Sequence, residues 1–140
     1  MAAKTFKTNI QGYWRDKIKS GIPSHSGVYF VYVASYSAQT DKVTLHSLIY
    51  IGESDNVNTR IQNHEKYDEW ETYLSQGQEL CFSTCRIDGD DRFRVEAAYI
   101  FKHKPPVNTE YKNSFPFDQT TVVSTGETAL LNTNFTVNRT

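Results

Sequence analysis

The sequence predicts an α/β domain of the α+β type, with a small mixed, largely antiparallel sheet flanked by helices and a C-terminal β-like tail. Three observations lead to this prediction. The 140 residues suit one compact domain. Short β-branched and aromatic runs alternate with runs whose apolar residues have helical spacing. The first two strand-like runs are joined by a connection too short for a helical crossover, so we expect them to pair antiparallel.

The first half of the chain predicts a short helix followed by a hairpin. Residues 13–19 form a candidate amphipathic helix, which the Gly-Ile-Pro-Ser run at 21–24 ends. Residues 27–34 are β-branched and aromatic and predict a buried strand. Residues 43–51 predict a second strand, and the polar loop at 35–42 connects the two.

A helix is predicted after the second strand. Ser54 or Asp55 is its candidate N-cap. The residues that follow the cap at helical spacing are Val57, Ile61 and His64. We expect this helix to end near Lys66, and a second piece at 68–75 to continue or restart it.

The remaining elements are a strand, a second major helix and a terminal hairpin. Residues 79–87 predict the strand and residues 92–102 the helix, which the Pro-Pro pair at 105–106 stops. The acidic run at 88–91 lacks the spacing of a calcium loop and predicts a turn and helix cap. From residue 120 onward the Thr, Val and Asn content predicts a short hairpin packed on the domain. The pattern is therefore β-β-α-β-α plus a tail.

Charge and cysteine content narrow the classes of function. A net charge of −1 argues weakly against strong non-specific nucleic-acid binding. Because part of the acidic residues are clustered along the chain, the rest of the surface can still include a local basic face. Cys81 and Cys85 lie on one predicted strand, too far apart for easy bridging, and are expected to be reduced, buried thiols. Because we find neither a bilayer-length apolar run nor a secretory h-region, we expect a cytoplasmic protein without a membrane partner.

Four polar residues occupy positions where the pattern calls for apolar ones. Tyr29 and Tyr50 lie within the two strands of the predicted hairpin, so pairing could bring both hydroxyls to one end of the sheet. Arg60 and His64 are four residues apart and are expected to share one helix face. Together these residues could form one polar surface.

Two further polar residues belong to the second helix and the loop behind it. Glu96 lies inside the apolar run at 95–101, where a carboxylate needs a partner or a metal. Asn108 follows the Pro-Pro stop. Taken singly, each of these polar residues has an ordinary structural explanation, as a strand aromatic, a solvated cation, a paired carboxylate or a turn residue. Only their joint arrangement indicates a site.

Five motifs occur in order: Gly27-Val28-Tyr29, Tyr50-Ile51-Gly52, the Arg60 and His64 pair, Glu96, and Pro106-Val107-Asn108. This order and spacing resemble the GIY-YIG nuclease family. Residues 50–64 look like that family's second motif nearly throughout, and Val28 replaces Ile conservatively. The resemblance implies one GIY-YIG endonuclease-like domain over 1–140, with a core at about 27–108 and a C-terminal extension at about 112–140.

The resemblance implies a hydrolase that cuts phosphodiester bonds with one divalent metal, Mg²⁺ or Mn²⁺. It implies that Glu96 is the sole protein carboxylate on the metal, which suits Mg²⁺ because that ion keeps several waters. It implies that Arg60 contacts the scissile phosphate, because its planar guanidinium group presents several N–H donors to phosphate oxygens. Gly52 and Asn108 are expected to bind substrate or to brace the site.

The resemblance also implies a role for each tyrosine. Tyr29 is expected to act as the general base, or as part of the relay that takes the proton of the attacking water. An ordinary tyrosine pKa near 10 makes it a poor base without help. His64, or a loop lysine such as Lys42, could accept the proton or tune that hydroxyl. Tyr50 is expected to orient the water or the phosphate.

The expected partner is nucleic acid, and DNA is favoured over RNA by family analogy alone. A homodimer is left open. Two other classes of function compete with an endonuclease: a catalytically silent nucleic-acid-binding module of the same fold, and a structural or partner-binding domain. The full residue set favours the enzyme, because a binding module has no need of a carboxylate on an apolar helix face.

Overall fold

A curled six-stranded sheet organises the chain in the computed structural model, which describes residues 2–140. The strands are β1 (Lys4–Arg15), β2 (Gly27–Ser37), β3 (Lys42–Ser54), β4 (Glu79–Arg86), β5 (Thr120–Gly126) and β6 (Asn134–Val137). Their order is β3-β2-β4-β1-β5-β6, and every pair is antiparallel except β1 with β5. The expected mixed, largely antiparallel sheet with helices is confirmed.

Three short helices and a 3₁₀ segment complete the described chain. They are α1 (Val57–Gln62), α2 (Tyr67–Glu71), α3 (Asp91–His103) and the 3₁₀ segment Asp16–Gly21. The predicted cap of α1 at Ser54 or Asp55 is wrong, because the side chain of Asn56 accepts the hydrogen bond from the Thr59 amide. The prediction that α1 reaches Lys66 is also wrong, since the chain leaves the helix at Asn63 and restarts as α2.

The helix predicted at 13–19 is the main error, because this region begins with the end of a strand that the sequence did not reveal. Residues 13–15 lie in β1, and the 3₁₀ segment follows. The inward positions of β1 are Phe6, Thr8 and Ile10. A buried threonine between two apolar residues breaks the alternation by which a strand is recognised. Its hydroxyl is accommodated by hydrogen bonds to Tyr99 and Ser124.

The predicted C-terminal hairpin is confirmed, and its packing partner is β1. Strand β5 pairs parallel with β1 and antiparallel with β6. Cys81 and Cys85 are both buried and unpaired, as expected. None of the helices within residues 2–140 has the length and apolarity needed to cross a bilayer.

Alternate residues of β2 face two separate cores. Phe30 and Tyr32 pack in the cluster that contains the buried side of α3. Tyr29 and Val31 pack in the other cluster, with residues of α1 and α2. The sheet therefore separates the core that contains α3 from the core that contains α1 and α2.

The edge of β3 is covered by the loop that follows α3. The Val107 amide donates to the carbonyl of Ile49. The Asn108 side chain accepts from the Ile51 amide at 3.0 Å and donates to the Ile51 carbonyl at 2.8 Å. The amide group thus replaces a neighbouring strand at this point.

Candidate active site

A concave pocket of about 420 Å³ lies at the covered edge of β3. Six of the seven residues singled out in the sequence line it: Tyr29, Tyr50, Gly52, Arg60, Glu96 and Asn108. The seventh, His64, lies behind Tyr29, and its Nε2 is 2.7 Å from the Tyr29 hydroxyl. Residues from two strands, the α1 region, α3 and the following loop therefore converge in space.

The register of the β2–β3 hairpin sets the two tyrosines side by side. Tyr29 lies opposite Gly52, and Tyr50 lies opposite Val31. The tyrosines are thus diagonal neighbours on one face of the sheet, with ring centroids 6.2 Å apart. This register agrees with the expectation that strand pairing could bring both tyrosines to one end of the sheet.

Gly52 provides the space that the Tyr29 ring occupies. A Cβ atom at position 52 would lie 2.3 Å from both Cζ and Oη of Tyr29. No side chain can fit there while Tyr29 keeps its position. Gly52 therefore positions the phenol, in addition to lining the pocket.

His64 is enclosed by its neighbours. Its side chain has 0% exposure, and its ring centroid is 4.4 Å from that of Trp70. Burial, reinforced by the positive charge of Arg60, lowers the pKa of His64 to about 4, so the ring is neutral at pH 7. His64 lies beyond α1, in the turn after Asn63. The expected shared helix face with Arg60 is therefore wrong, because the turn redirects the histidine toward β2.

Arg60 is held by an acidic residue that the sequence did not single out. Its Nη1 and Nη2 donate to Oε2 and Oε1 of Glu65 at 2.6 Å and 2.7 Å. This contact raises the pKa of the guanidinium and lowers the pKa of Glu65 to about 2. Glu65 belongs to an acidic stretch of the kind that usually lies on a solvated surface. The sequence around Glu65 therefore gives no indication of its contact with Arg60.

Glu96 projects from α3 into the pocket and forms no ion pair with any described residue from 2 to 140. Burial, with smaller contributions from Glu53 and Glu110, raises the pKa of Glu96 to about 8. The side chain is thus half-buried, and no cationic side chain compensates for the hydration that it loses. The sequence-based expectation that this carboxylate needs a partner or a metal is therefore not met by any side chain of the described region.

Glu53 has its own cationic partner at the pocket wall. Arg92 Nε donates to Glu53 Oε1 at 2.7 Å. Arg92 lies one helical turn before Glu96 on α3. This pair ties the end of β3 to α3 and thereby fixes the distance between the tyrosine strands and the helix that carries Glu96.

The pocket can contribute only part of a metal coordination shell. Among residues 2–140, no group of three or more His, Cys, Asp or Glu side chains is arranged to hold a metal ion. One half-buried carboxyl without a cationic partner fits Mg²⁺ or Mn²⁺ bound through Glu96, with water and substrate oxygens as the other ligands. It does not fit a closed structural site such as tetrahedral zinc.

No protein-family model, curated protein or solved structure matches the chain. The GIY-YIG resemblance therefore rests on the five motifs.

Proposed function

We propose that this chain is a divalent-metal-dependent endonuclease of the GIY-YIG type that hydrolyses phosphodiester bonds, with DNA as its substrate. The observation that carries the proposal is the convergence of Tyr29, Tyr50, Arg60 and Glu96 on one pocket. This set combines a candidate base, a phosphate-binding cation and a metal-binding carboxylate. Such a combination supplies what phosphodiester hydrolysis requires.

Arg60 is the group that binds the scissile phosphate. Its guanidinium lines the pocket and carries a fixed charge, because contact with Glu65 raises its already high pKa. A planar fork of N–H donors matches two phosphoryl oxygens and stabilises the charge that develops on them.

Glu96 would hold the Mg²⁺ or Mn²⁺ ion, since its half-buried carboxyl lines the pocket and forms no ion pair with a cationic side chain of the described residues. A bound divalent ion lowers the pKa of a coordinated water and neutralises charge on the phosphate. Glu96 lies on α3, and its neighbours Val95 and Ala97 on this helix are fully buried. The rigid helix keeps the carboxylate at a constant distance from the tyrosines.

Tyr29 takes the proton of the attacking water at Oη, in its phenolate form. Burial raises the pKa of Tyr29, which opposes the phenolate, while the charge of Arg60 favours it. The Tyr29 hydroxyl also contacts Nε2 of His64, a residue that does not line the pocket. Tyr50, whose pKa burial raises to about 12, stays protonated and can orient the water or a phosphate oxygen by hydrogen bonding.

A catalytically silent nucleic-acid-binding module is the second candidate, and one observation favours it. The guanidinium of Arg60 is already bound at two points by Glu65, so a phosphate has to displace a carboxylate before it can bind there. A protein with this pair intact could bind nucleic acid elsewhere and not cut it.

The purified full chain should be incubated with duplex, branched and single-stranded DNA and with RNA, with Mg²⁺, Mn²⁺ or EDTA. We expect metal-dependent cleavage of DNA by the wild type and none by Glu96→Gln. If neither protein cleaves any substrate but both bind nucleic acid at low salt, the result would favour the silent module. No binding to any of these nucleic acids would exclude both candidates.

A further inference from the structure

The two ring nitrogens of His64 have different partners, and these partners decide where the ring proton lies. The backbone amide of Lys66 points at Nδ1, with an N–N distance of 3.1 Å. An amide N–H can only donate, so Nδ1 must present its lone pair. A neutral imidazole has a single N–H, which is then on Nε2. Nε2 is the nitrogen that lies 2.7 Å from the Tyr29 hydroxyl oxygen.

This arrangement makes the Tyr29 oxygen the acceptor of the hydrogen bond. The O–H hydrogen of Tyr29 cannot point at an Nε2 that already carries a proton, so it has to be directed elsewhere. Tyr29 lines the pocket. The pocket is therefore the side on which the phenol can release its proton.

The opposite assignment is disfavoured by the Lys66 amide. If Nε2 accepted the proton of Tyr29, Nδ1–H would face the Lys66 N–H, donor against donor. No water can relieve this conflict, because the side chain of His64 has 0% exposure. The carboxylate of Glu65 is too distant to accept from Nδ1, since its Oε2 lies 3.7 Å away and both its oxygens bind Arg60.

We propose that the Lys66 backbone amide locks His64 in the Nε2–H form, so that His64 donates a hydrogen bond to Tyr29 and does not accept its proton. This inference rests on the proposed function and assigns His64 a positioning role within it. The O–H bond of Tyr29 breaks toward the pocket and its proton passes to solvent water. The electron pair stays on Oη, where Nε2–H stabilises it. Tyr29 then takes a proton from the attacking water.

Ring nitrogen NMR tests the proton position directly. The wild-type chain is labelled with ¹⁵N-histidine, and the His64 signals are assigned by their loss in His64→Gln. At pH 7 we expect Nε2 to be protonated and Nδ1 to be unprotonated. A protonated Nδ1, in either the other neutral form or the cation, would overturn the proposal. This readout needs no activity, so it stays decisive even if the chain cuts no nucleic acid.

Two substitutions separate donation from proton acceptance in a cleavage assay. The amide of His64→Gln can still donate to Tyr29 but cannot take a proton at that pH, whereas His64→Leu can do neither. We expect His64→Gln to keep cleavage within about ten-fold of the wild type and His64→Leu to lose at least about a hundred-fold. Equal, large losses in both variants, with thermal unfolding unchanged, would indicate that His64 accepts a proton and would contradict the proposal.

Discussion

Arg60 and Glu65 form a two-point ion pair inside the pocket, with N–O distances of 2.6 Å and 2.7 Å. Glu65 presents two oxygens to the guanidinium in the way that a phosphate would. Under the proposed function, the carboxylate occupies the place where a phosphate would bind, and binding would exchange one anion for the other. The proposal therefore implies that the affinity for nucleic acid depends on Glu65, a residue to which it assigns no chemical step.

We predict that Glu65→Gln binds DNA more tightly, by about three- to ten-fold at low salt, because the competing carboxylate is removed. Fluorescence anisotropy in a Glu96→Gln background measures binding without cleavage. Glu71→Gln is the matched control, since it makes the same charge change at an exposed site on α2 that does not line the pocket. Equal tightening in both variants would mean that net charge, and not displacement from Arg60, controls affinity.

The half-buried carboxyl of Glu96 leads to a prediction about metal binding. Mg²⁺ or Mn²⁺ should raise the melting temperature of the wild type, because a ligand that binds only the folded state stabilises it. Glu96→Gln should fold, lose cleavage and show no metal-dependent rise. Glu53→Gln serves as a comparison, since Glu53 already has Arg92 as its partner. An undiminished rise in the Glu96 variant would place the metal elsewhere.

Gly52→Ala should displace Tyr29 from the pocket wall. The added Cβ would lie 2.3 Å from the phenol, so we expect a loss of about 1–3 kcal/mol in the free energy of unfolding and loss of cleavage. Urea denaturation measures the first effect. Gly21→Ala is the control, because its Cβ would meet nothing closer than 3.8 Å. In a Tyr29→Leu background the same Gly52 substitution should cost less, and an unchanged cost would show that the clash is not with Tyr29.

Asn108→Ala should loosen the covered edge of β3. The substitution removes both hydrogen bonds to the Ile51 backbone and leaves a buried N–H and C=O without partners, which costs about 2–3 kcal/mol. Denaturant unfolding measures the loss, and hydrogen exchange should accelerate at the Ile51 amide. Asn63→Ala removes one exposed hydrogen bond and should have little effect. Slow exchange at Ile51 in the Asn108 variant would contradict this assignment.

His64 should make the stability of the protein depend on pH. Its pKa is about 4 when folded, against an ordinary value of 6.5, so the unfolded chain takes up a proton first as the pH falls. Stability is therefore lost between pH 6.5 and pH 4 by up to about 2–3 kcal/mol relative to His64→Gln. The titratable groups that face the ring are Arg60, Glu65, Lys66, Tyr29 and Tyr50.

Urea unfolding of the wild type and His64→Gln across this pH range tests the prediction. The difference between the two proteins isolates His64 from the carboxylates that also titrate there. Parallel stability curves for the two proteins would mean that the imidazole is not held neutral by the fold.

Hydrophobic periodicity is sufficient to predict a helix or strand wherever that element buries apolar side chains on a regular face. It predicted the β2–β3 hairpin, β4, α3 and the terminal hairpin with small errors at the ends. It failed for β1, where the inward Thr8 imitates a surface position. The periodicity also predicts too long a helix for α1. The spacing of His64 continues the helical pattern, but the chain leaves the helix at Asn63.

The sequence by itself determined which chemical groups are present, their order in the five motifs and the strands or helices that carry most of them. Tertiary structure alone decided that Glu65 binds Arg60, that the Lys66 amide faces His64 and that Gly52 makes room for Tyr29. These relationships depend on atomic distances between separate elements, or across a turn whose course no local pattern describes. Residue type and spacing predict the elements, whereas the direction of each polar atom is decided only when the elements pack.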